Sequence, residues 1–360
     1  MFLIINPKQK KIIIWSLAIL LVVGSSGFAT YAIIKYQRNK AETEARNNQN
    51  QIPVTSENDS LVANKLDGTQ SDRELAQRNP LAVVIDNSVG ARPQAGLSSA
   101  SIVYEALAEG GVTRLLAIFG PKDVDNIGPV RSARTYFVEW AEETRAYLVH
   151  AGGSQNALTK IVEDQVPNLN DNSSYFSRQI TSGRAYEHTL FTNTTNLYQY
   201  AKVKGYENRI NTLESWLFKD DLELNSRPTS QTDISINFGD PAYAVKWEYN
   251  PNSNDYTRYI ANQPHTDSNN SSNIVAKNII LIEATRTAVT SAGKQVYNMT
   301  LTGSGDARII RDGKVMDATW KRSTALNRTH FYDKQGTEIE LNRGQIWIEI
   351  INPDIVSVSY

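Results

Sequence analysis

The sequence predicts an α+β fold, in which a mixed α/β region is followed by a smaller region that is rich in β-strands. In residues 76–218, buried strand-like runs such as LAVVID (81–86) and AYLVH (146–150) alternate with helical patterns. In residues 219–360, strand-like runs recur between turn signals, and these runs are DISINF, AVKWEY, YTRYI, NIILIEA and QIWIEII. We therefore expect one domain at 76–218 and a second, β-rich domain at 219–360.

An uncharged apolar run at residues 12–34 predicts a transmembrane helix. A cleaved signal peptide is the alternative, but the run is longer than the apolar region of most signal peptides and offers a poor cleavage site. Basic residues flank the run on both sides, so the positive-inside rule leaves its orientation nearly balanced. We expect an anchor within residues 1–36 and a flexible stalk at 37–75, which is rich in Asn, Gln, Glu and Ser.

The composition excludes several classes of function. A formal net charge of −1 gives no general attraction to nucleic acid, and no long basic run occurs outside the N-terminal segment, so we expect no nucleic-acid partner. The chain contains no cysteine, which rules out disulfides, thiolate chemistry and a lipid-modified N-terminal cysteine. The sequence has no recognised metal-ligand spacing, and we expect neither a metal site nor a cofactor.

Residues 86–154 carry many charged side chains within otherwise core-like sequence. Buried charges are costly unless they pair with one another or with a ligand. This stretch is therefore where we expect a binding or catalytic site. The charged and ionisable residues concerned are Asp86, Arg92, Glu105, Glu109, Arg114, Arg131, Arg134 and His150.

The pair Gly110-Gly111, followed by VTRLLAIF, predicts a β-hairpin with a two-residue turn. In that register Leu107 faces Arg114, and the diagonal neighbours of Arg114 are Glu105 and Glu109. The two carboxylates would then hold the guanidinium in one orientation. A structural ion-pair cluster on the face of a sheet explains the same residues equally well.

Two chain segments in this stretch predict an anion site. A helix is expected from about Ser132, its N-cap, to Arg145, so that Arg131 and Arg134 stand at its positive end and need a compensating anion. His150 ends a predicted strand before the tight loop Gly152-Gly153-Ser154, where Ser154 caps the next helix. Backbone N–H groups in such a loop bind phosphates and carboxylates.

The sequence also predicts where three further groups of residues lie. Arg184 and His188, in a loop-rich segment, are weaker candidates for the same site. His265 and Asp267 lie in a polar loop and are expected at the surface. Aromatic side chains of the C-terminal region are expected in the core rather than in a binding platform, and they are Trp247, Trp320 and Trp347.

Seven segments of the chain are specific enough to compare with known families, and they are PLAVVIDN (80–87), ARPQAGLS (91–98), IVYEALAEGGVTRLLAIF (102–119), IGPVRSAR (127–134), HAGGS (150–154), KWEYNPNSNDYTRY (246–259) and GQIWIEI (344–350). Through these segments the chain resembles, over nearly all of residues 79–350, the YerB-like family, a group of bacterial proteins classed as lipoproteins whose function is unknown. The resemblance implies an N-terminal layered sandwich of two sheets plus helices, joined to a smaller C-terminal domain. It implies no catalytic mechanism.

The resemblance also implies an exported, membrane-attached protein, which favours a cytoplasmic N-terminus, a single membrane pass and an extracytoplasmic body. Family members often carry a lipid-attachment cysteine, and this chain has none, so its anchor should be the apolar segment 12–34 itself. The segment that reads Pro-His in relatives is Glu187-His188 in this sequence, which puts a borrowed role for His188 in doubt.

Three functions remain open at the level of sequence. In the first, Arg131 and Arg134 clamp an anionic component of the cell envelope, with the 152–154 amides completing the pocket. In the second, the same pocket is an enzyme for a phosphate- or carboxylate-bearing substrate, with His150 as general acid or base and Glu105 or Asp86 as its partner. In the third, the charges form a structural network or serve an envelope protein partner.

Overall fold

A ten-stranded mixed sheet forms the centre of the structure, and both halves of the chain contribute strands to it. The computed structural model describes residues 61–228 and 233–360, together with Lys40. The predicted membrane segment 12–34 and the rest of the tip 1–36 lie outside these residues. Within the described ranges, no helix has both the length and the apolar character that crossing a bilayer requires.

The strands are numbered in chain order. They are β1 (Leu61–Ala63), β2 (Gln70–Asp72), β3 (Leu81–Asp86), β4 (Ile102–Leu107), β5 (Thr113–Phe119), β6 (Tyr147–His150), β7 (Asn168–Asn170), β8 (Ser177–Arg178), β9 (Leu190–Phe191), β10 (Phe218–Lys219), β11 (Ile234–Asn237), β12 (Val245–Asn250), β13 (Asp255–Ile260), β14 (Gln263–Pro264), β15 (Val275–Ala276), β16 (Asn278–Glu283), β17 (Arg286–Ser291), β18 (Lys294–Met299), β19 (Gly303–Arg311), β20 (Lys314–Arg322), β21 (His330–Tyr332), β22 (Leu341–Asn342), β23 (Ile346–Ile351) and β24 (Ser357–Ser359).

Helices are few in the described part of the chain. The α-helices are α1 (Arg73–Gln77), α2 (Thr135–Glu143), α3 (Gln155–Glu163) and α4 (Thr194–Val203). Short 3-10 helices occur at Val89–Ala91, Leu97–Ser99, Glu109–Gly111, Tyr186–His188, Leu224–Ser226 and Pro241–Tyr243.

The large sheet has the strand order β21-β20-β19-β16-β23-β4-β5-β3-β6-β7. Its two halves meet where β4 pairs in parallel with β23, with Ile102 opposite Ile346 and Glu105 opposite Glu349. Strands from the ranges 76–218 and 219–360 thus share one sheet. The division into two domains at these ranges stays a prediction.

Two layers cover the faces of the large sheet. A second sheet of order β14-β13-β12-β11-β24, with β15 beside β13, packs with α4 on one face, where Trp247 meets Trp347 at a ring distance of 5.3 Å. Helices α2 and α3 pack on the other face, where Tyr104 stacks on Trp140 at 4.8 Å. The predicted α+β class is confirmed. The second sheet, however, comes from the C-terminal range and not from the N-terminal domain to which we had assigned it.

The sequence of each strand reflects how many of its faces are covered. LAVVID in β3 is an unbroken apolar run up to its final Asp86, and every residue of it is buried because layers cover both sides of the large sheet. VKWEYN in β12 alternates, so that Val245, Trp247 and Tyr249 face the core while the intervening residues reach solvent. Trp320 is also buried, so the three predicted core tryptophans are confirmed.

Two predictions about local structure are corrected. Residues 61–75 were expected in the flexible stalk, but they form β1, β2 and the start of α1, and Leu66 between the strands is only 1% exposed. An apolar side chain in this polar stretch therefore ties it to the core. The predicted helix from Ser132 begins instead at Thr135, with Arg134 at its N-cap and no side-chain cap. Ser132 lies before the helix, in the segment that runs beside the 151–154 loop.

Candidate functional site

Arg114 lies near the end of the large sheet at which β3 and β6 finish, and it is buried without an acidic partner. Only 9% of its surface is exposed. Among the described residues its hydrogen bond is a single 3.0 Å contact from Nη1 to the Ser132 carbonyl oxygen, and its Nε has no partner. Burial, helped by the nearby charge of Arg134, lowers the pKa of Arg114 to about 10. A buried guanidinium without a carboxylate is costly, and it indicates a place for an anion.

The β4–β5 hairpin is present, but its predicted register is wrong. Leu107 faces Thr113 and Ala106 faces Arg114, because the connection is longer than two residues and includes a 3-10 turn with both glycines at positive φ. A shift of one residue moves every side chain to the other face of a sheet. Glu105 therefore lies on the face opposite Arg114, and the predicted contact between them does not form.

Arg134 stands beside Arg114 and is held by Glu109. Its Nε and Nη2 donate to the two carboxylate oxygens of Glu109 at 2.6 and 2.5 Å. Burial disfavours the charged carboxylate, but the hydrogen bonds and charge of Arg134 outweigh that effect, so the pKa of Glu109 lies below its usual value. Nη1 of Arg134 also lies 3.4 Å from the Ser132 carbonyl that Arg114 contacts. Two guanidinium groups thus converge on one oxygen.

A cleft of about 580 Å³ opens beside these arginines, between the 151–155 loop and the β17–β18 hairpin. Lys294 approaches from the hairpin, so Arg134 and Lys294 exceed Glu109 by one positive charge before Arg114 is counted. Its polar lining side chains are Glu109, Ser132, Arg134, Ser154, Gln155, Ser291, Lys294 and Gln295, and Gly153 also lines it. Arg114, Arg131 and His150 are not among the residues that line it, so Arg114 acts on the cleft from behind the Ser132 carbonyl and Arg134.

Arg131 belongs to a cluster around Asp86, which lies opposite Arg114 on the β3–β5 ladder and whose charge, like that of Glu109, acts on Arg114 without an ion-pair contact. Its Nε lies 3.1 Å from Oδ2 of Asp86, and Nδ1 of His188 lies 2.7 Å from the same oxygen. Ser88 donates to the other carboxylate oxygen from its backbone N–H at 2.9 Å and from its hydroxyl at 2.6 Å. Burial raises the pKa of Asp86, but the Ser88 hydrogen bonds, followed by Arg131 and His188, lower it further than burial raises it. The carboxylate is therefore ionised and fixed.

His150 ends β6 as predicted, but it faces inward. It is 2% exposed, its Nδ1 lies 2.8 Å from the Gly152 carbonyl, and burial lowers its pKa. Of the loop amides, Gly152 donates to Asn170 and Ser154 donates to Ala133, so these two are already engaged. Ser154 occupies the N-cap of α3 as predicted, although its hydroxyl donates to Asn156 and does not cap the helix.

The remaining candidates lie apart from the cleft. Arg92 donates to the backbone carbonyls of Asn87 and Ala242, which places it between the two sheets. Arg184 lies 6.0 Å above the ring of Phe191. No trio of acidic or histidine side chains in residues 61–228 and 233–360 is arranged to hold a metal ion.

A buried polar network between the two sheets was missed by sequence reasoning. Arg258 forms an ion pair with Glu105, and its Nη1 lies 2.6 Å from Nδ1 of His265. Nε2 of His265 lies 2.8 Å from the side-chain oxygen of Gln94. Glu349 faces Glu105 from the neighbouring strand. The side chains of Arg258, Glu105 and Glu349 are fully buried.

The signal for part of this network was present in the sequence. In β13, Arg258 falls between Tyr256 and Ile260 on the buried face of an alternating strand. Glu349 likewise interrupts the apolar run of β23. His265 and Asp267 are 2% and 0% exposed, so their predicted surface position is wrong. Asp267 is drawn inward because it accepts hydrogen bonds from the backbone of Gly96 and Ser98.

The fold and the site together define an α+β protein of two packed sheets, in which arginine side chains cluster at the end of the large sheet where β3 and β6 finish. Comparison with known families shows which family this protein belongs to. Residues 66–207 match the N-terminal domain, and residues 234–348 the C-terminal domain, of a family described as protein of unknown function (DUF3048). The chain belongs to this family, which confirms the resemblance drawn from the sequence.

Two relatives show how far the similarity extends. The chain is 30% identical over 300 residues to a Bacillus subtilis (strain 168) protein named "Putative lipoprotein YerB", an alignment that covers 82% of this chain and 87% of the relative. The crystal structure of YerB protein from Bacillus subtilis matches with a TM-score of 0.72 and 28% identity, over 83% of this chain and 100% of the other.

Proposed function

We propose that the protein binds an anionic group in the cleft beside Arg134. The observation that carries this proposal is Arg114, a buried guanidinium with no carboxylate partner in the described part of the chain, directly beside a second guanidinium. Arg258, another arginine of the core, has an acidic partner and is explained by structure alone. Arg328 is also buried, and its guanidinium nitrogens have no hydrogen-bond partner within the described ranges, but the group stacks 3.6 Å from the ring of Trp216 and so packs against an aromatic face. An anion at the cleft would offset the unpaired charge.

The ligand is a phosphate or a carboxylate on a component of the cell envelope. Arginine presents several N–H groups in a plane, and such groups bind either oxyanion in a bidentate manner. Lys294 adds a point charge from the opposite wall of the cleft, and Gly153 and Ser154 line the wall next to Arg134. The cleft is large enough to enclose a small ligand or one unit of a polymer.

The body of the protein acts outside the cytoplasm, attached to the membrane by residues 12–34 in a single pass. Two observations support this location. Those residues form an uncharged apolar run of sufficient length. The relative from Bacillus subtilis is named as a lipoprotein, and because this chain contains no cysteine, the apolar segment takes the place of a cysteine-linked lipid.

Calorimetric titration of the full-length protein tests the binding. The probes are inorganic phosphate, a glycerol phosphate oligomer and acetate, each at low ionic strength. We expect heat of binding from at least one probe and its loss in Arg114→Met. The matched control is Arg308→Met, which removes an arginine that lines a different cleft. Absence of binding by all three probes, or equal binding by Arg114→Met, would overturn the proposal.

A further inference from the structure

We propose that Asp86 and His188 form a general-base pair that hydrolyses a carboxylic ester beside Arg131. This activity goes beyond anion binding and does not depend on it, because none of the three residues lines the cleft. The pair lies at the end of β3, where the 3-10 turn Tyr186–His188 meets the strand. Ligands of open α/β sheets commonly bind at this end of the strands.

The geometry leaves one nitrogen of His188 free to act as a base. Nδ1 lies 2.7 Å from Oδ2 of Asp86, so the ionised carboxylate holds the proton on Nδ1 and leaves the lone pair on Nε2. Within residues 61–228 and 233–360, Nε2 makes no hydrogen bond, and 13% of the side chain is exposed to solvent. An added Cβ at Gly90 would lie 3.4 Å from Nε2, so the reaction needs water to reach this nitrogen from the exposed part of the ring, past Gly90.

Asp86 is rigid enough to orient the imidazole. Its side chain is 1% exposed, and two hydrogen bonds from Ser88 fix the oxygen that does not contact His188. The imidazole in turn lies against Gly90, where an added Cβ would come within 3.3 Å of Cδ2 of the ring. A carboxylate that is itself held in place keeps a histidine in the tautomer that general-base catalysis requires.

Arg131 stabilises the negative charge that forms on the carbonyl oxygen of the ester during the reaction. Its Nε contacts the same Asp86 oxygen at 3.1 Å, so the guanidinium and the imidazole lie side by side. The Nη atoms of Arg131 make no hydrogen bond within the described ranges, and 28% of its side chain is exposed. Addition to a carbonyl places negative charge on one oxygen, which one guanidinium can stabilise, whereas phosphoryl transfer spreads charge over three. The arrangement thus favours a carboxylic ester.

The proposed reaction needs only water and the ester. Nε2 of His188 takes a proton from a water molecule as the water oxygen forms a bond to the carbonyl carbon, and Arg131 stabilises the resulting oxyanion. Collapse of the tetrahedral intermediate breaks the bond to the alcohol oxygen. The proton on Nε2 passes to that oxygen, so an acid and an alcohol leave and the imidazole is again neutral.

The other three histidines of the chain lack this combination of features. His150 and His265 are each 2% exposed. His330 is at the surface, but both of its nitrogens lie near glutamates, at 2.6 Å from Glu338 and 3.4 Å from Glu214. His330 is therefore the control: it is a carboxylate–histidine pair, with 23% of its side chain exposed against 13% for His188, and it has no free nitrogen.

The test is hydrolysis of 4-nitrophenyl acetate and 4-nitrophenyl butyrate by the full-length protein, measured as kcat/KM from pH 5 to 9. We expect turnover that falls about a hundredfold in His188→Gln. His330→Gln should keep the rate and the pH profile. Asp86→Asn should lower kcat while thermal melting shows the chain still folded, which separates orientation of the base from loss of structure.

Two results would overturn the proposal. One is the absence of turnover above that of buffer for both esters. The other is an equal rate in His188→Gln and His330→Gln, because such a rate would come from the surface at large. Arg131→Gln provides a second variant that keeps the histidine. This variant should lower kcat with little change in the pH profile. An unchanged kcat would show that Arg131 does not stabilise the oxyanion.

Discussion

Arg258 and Glu105 form an ion pair in which neither side chain is exposed to solvent. The pair joins β13 of the second sheet to β4 of the large sheet, and the rings of Trp347 and Trp247 lie 4.5 and 5.5 Å from the guanidinium. Asn87 and Thr113 occupy the remaining carboxylate oxygen of Glu105. This pair is structural, and it contrasts with the unpaired Arg114 on the opposite face of the same sheet.

The first prediction concerns removal of this arginine. Arg258→Met should lower the free energy of unfolding by about 3–5 kcal/mol, because it leaves the Glu105 carboxylate buried and unpaired. Urea denaturation followed by tryptophan fluorescence measures the loss. The double variant Arg258→Met with Glu105→Met should recover part of it, since both charges are then gone. A loss below about 1 kcal/mol in the single variant would contradict the structural role.

The second prediction is that Arg114→Met stabilises the protein in the absence of ligand. An apolar side chain of similar length removes a buried unpaired charge, so the free energy of unfolding should rise by about 1 kcal/mol. The measurement is urea denaturation in buffer without phosphate. Destabilisation comparable to that of Arg258→Met would show instead that Arg114 supports the fold and would remove the main argument for an anion site.

The third prediction concerns pH and Glu349. Burial, then the neighbouring carboxylate of Glu105, raises the pKa of Glu349 to about 8 in the folded chain. The folded state keeps a proton that the unfolded state releases above about pH 4.5. This contribution to stability is therefore complete below that pH and is lost as pH rises towards 8. Glu349→Gln keeps the neutral shape, so at pH 9 it should be more stable than the native chain by at least about 1 kcal/mol.

Chemical denaturation of both chains at pH 5, 7 and 9 measures this difference. The advantage of Glu349→Gln should grow from pH 5 to pH 9, and a constant difference would show that Glu349 is ionised in the folded protein. Gln keeps an acceptor for the indole N–H of Trp247, which donates to Glu349 at 3.0 Å. That hydrogen bond is therefore not the cause of any pH-dependent difference.

The fourth prediction concerns His265, for which stability is expected to fall as the pH is lowered, the reverse of the prediction for Glu349. Burial, followed by the charges of Arg258 and Arg92, holds the pKa of His265 well below its usual value. The folded state thus keeps the ring neutral, whereas the unfolded chain takes up a proton below about pH 6.5. Stability should fall as pH drops from 7 to 5, by up to about 1.4 kcal/mol per pH unit for this group. His265→Gln should show a smaller decline in urea denaturation. An identical decline would assign it to other groups, such as His150.

Strand positions could be predicted from the sequence because the layers on both sides of the large sheet require apolar residues. The apolar runs of β3 and β6 can be recognised in the sequence, and Asp86 is the charged residue that ends the first run. The register of the β4–β5 hairpin could not be read, since turn length depends on how Gly110 and Gly111 bend the chain, and a change of one residue reverses the faces.

The site was only partly predictable for a different reason. Glu109 was predicted beside Arg114, and Arg134 beside Arg131, but in the structure Glu109 holds Arg134 and Arg131 contacts Asp86. The partners of Glu105 and Gln94 are not local: Arg258 lies 153 residues after Glu105, and His265 lies 171 residues after Gln94. A single sequence does not show which distant charge neutralises which, so Glu105 was assigned to the wrong arginine.

The position of β23 has a consequence for how the protein is made. This strand (Ile346–Ile351) lies between β4 and β16, so it is the element that joins the two halves of the large sheet. Of the strands of the large sheet, the ribosome releases this one last, and until then β4 and β16 both present unpaired backbone edges, which are prone to incorrect pairing. A premature stop codon before residue 346 would therefore remove the centre of the sheet, and the native sheet can form only after residue 351 has been synthesised.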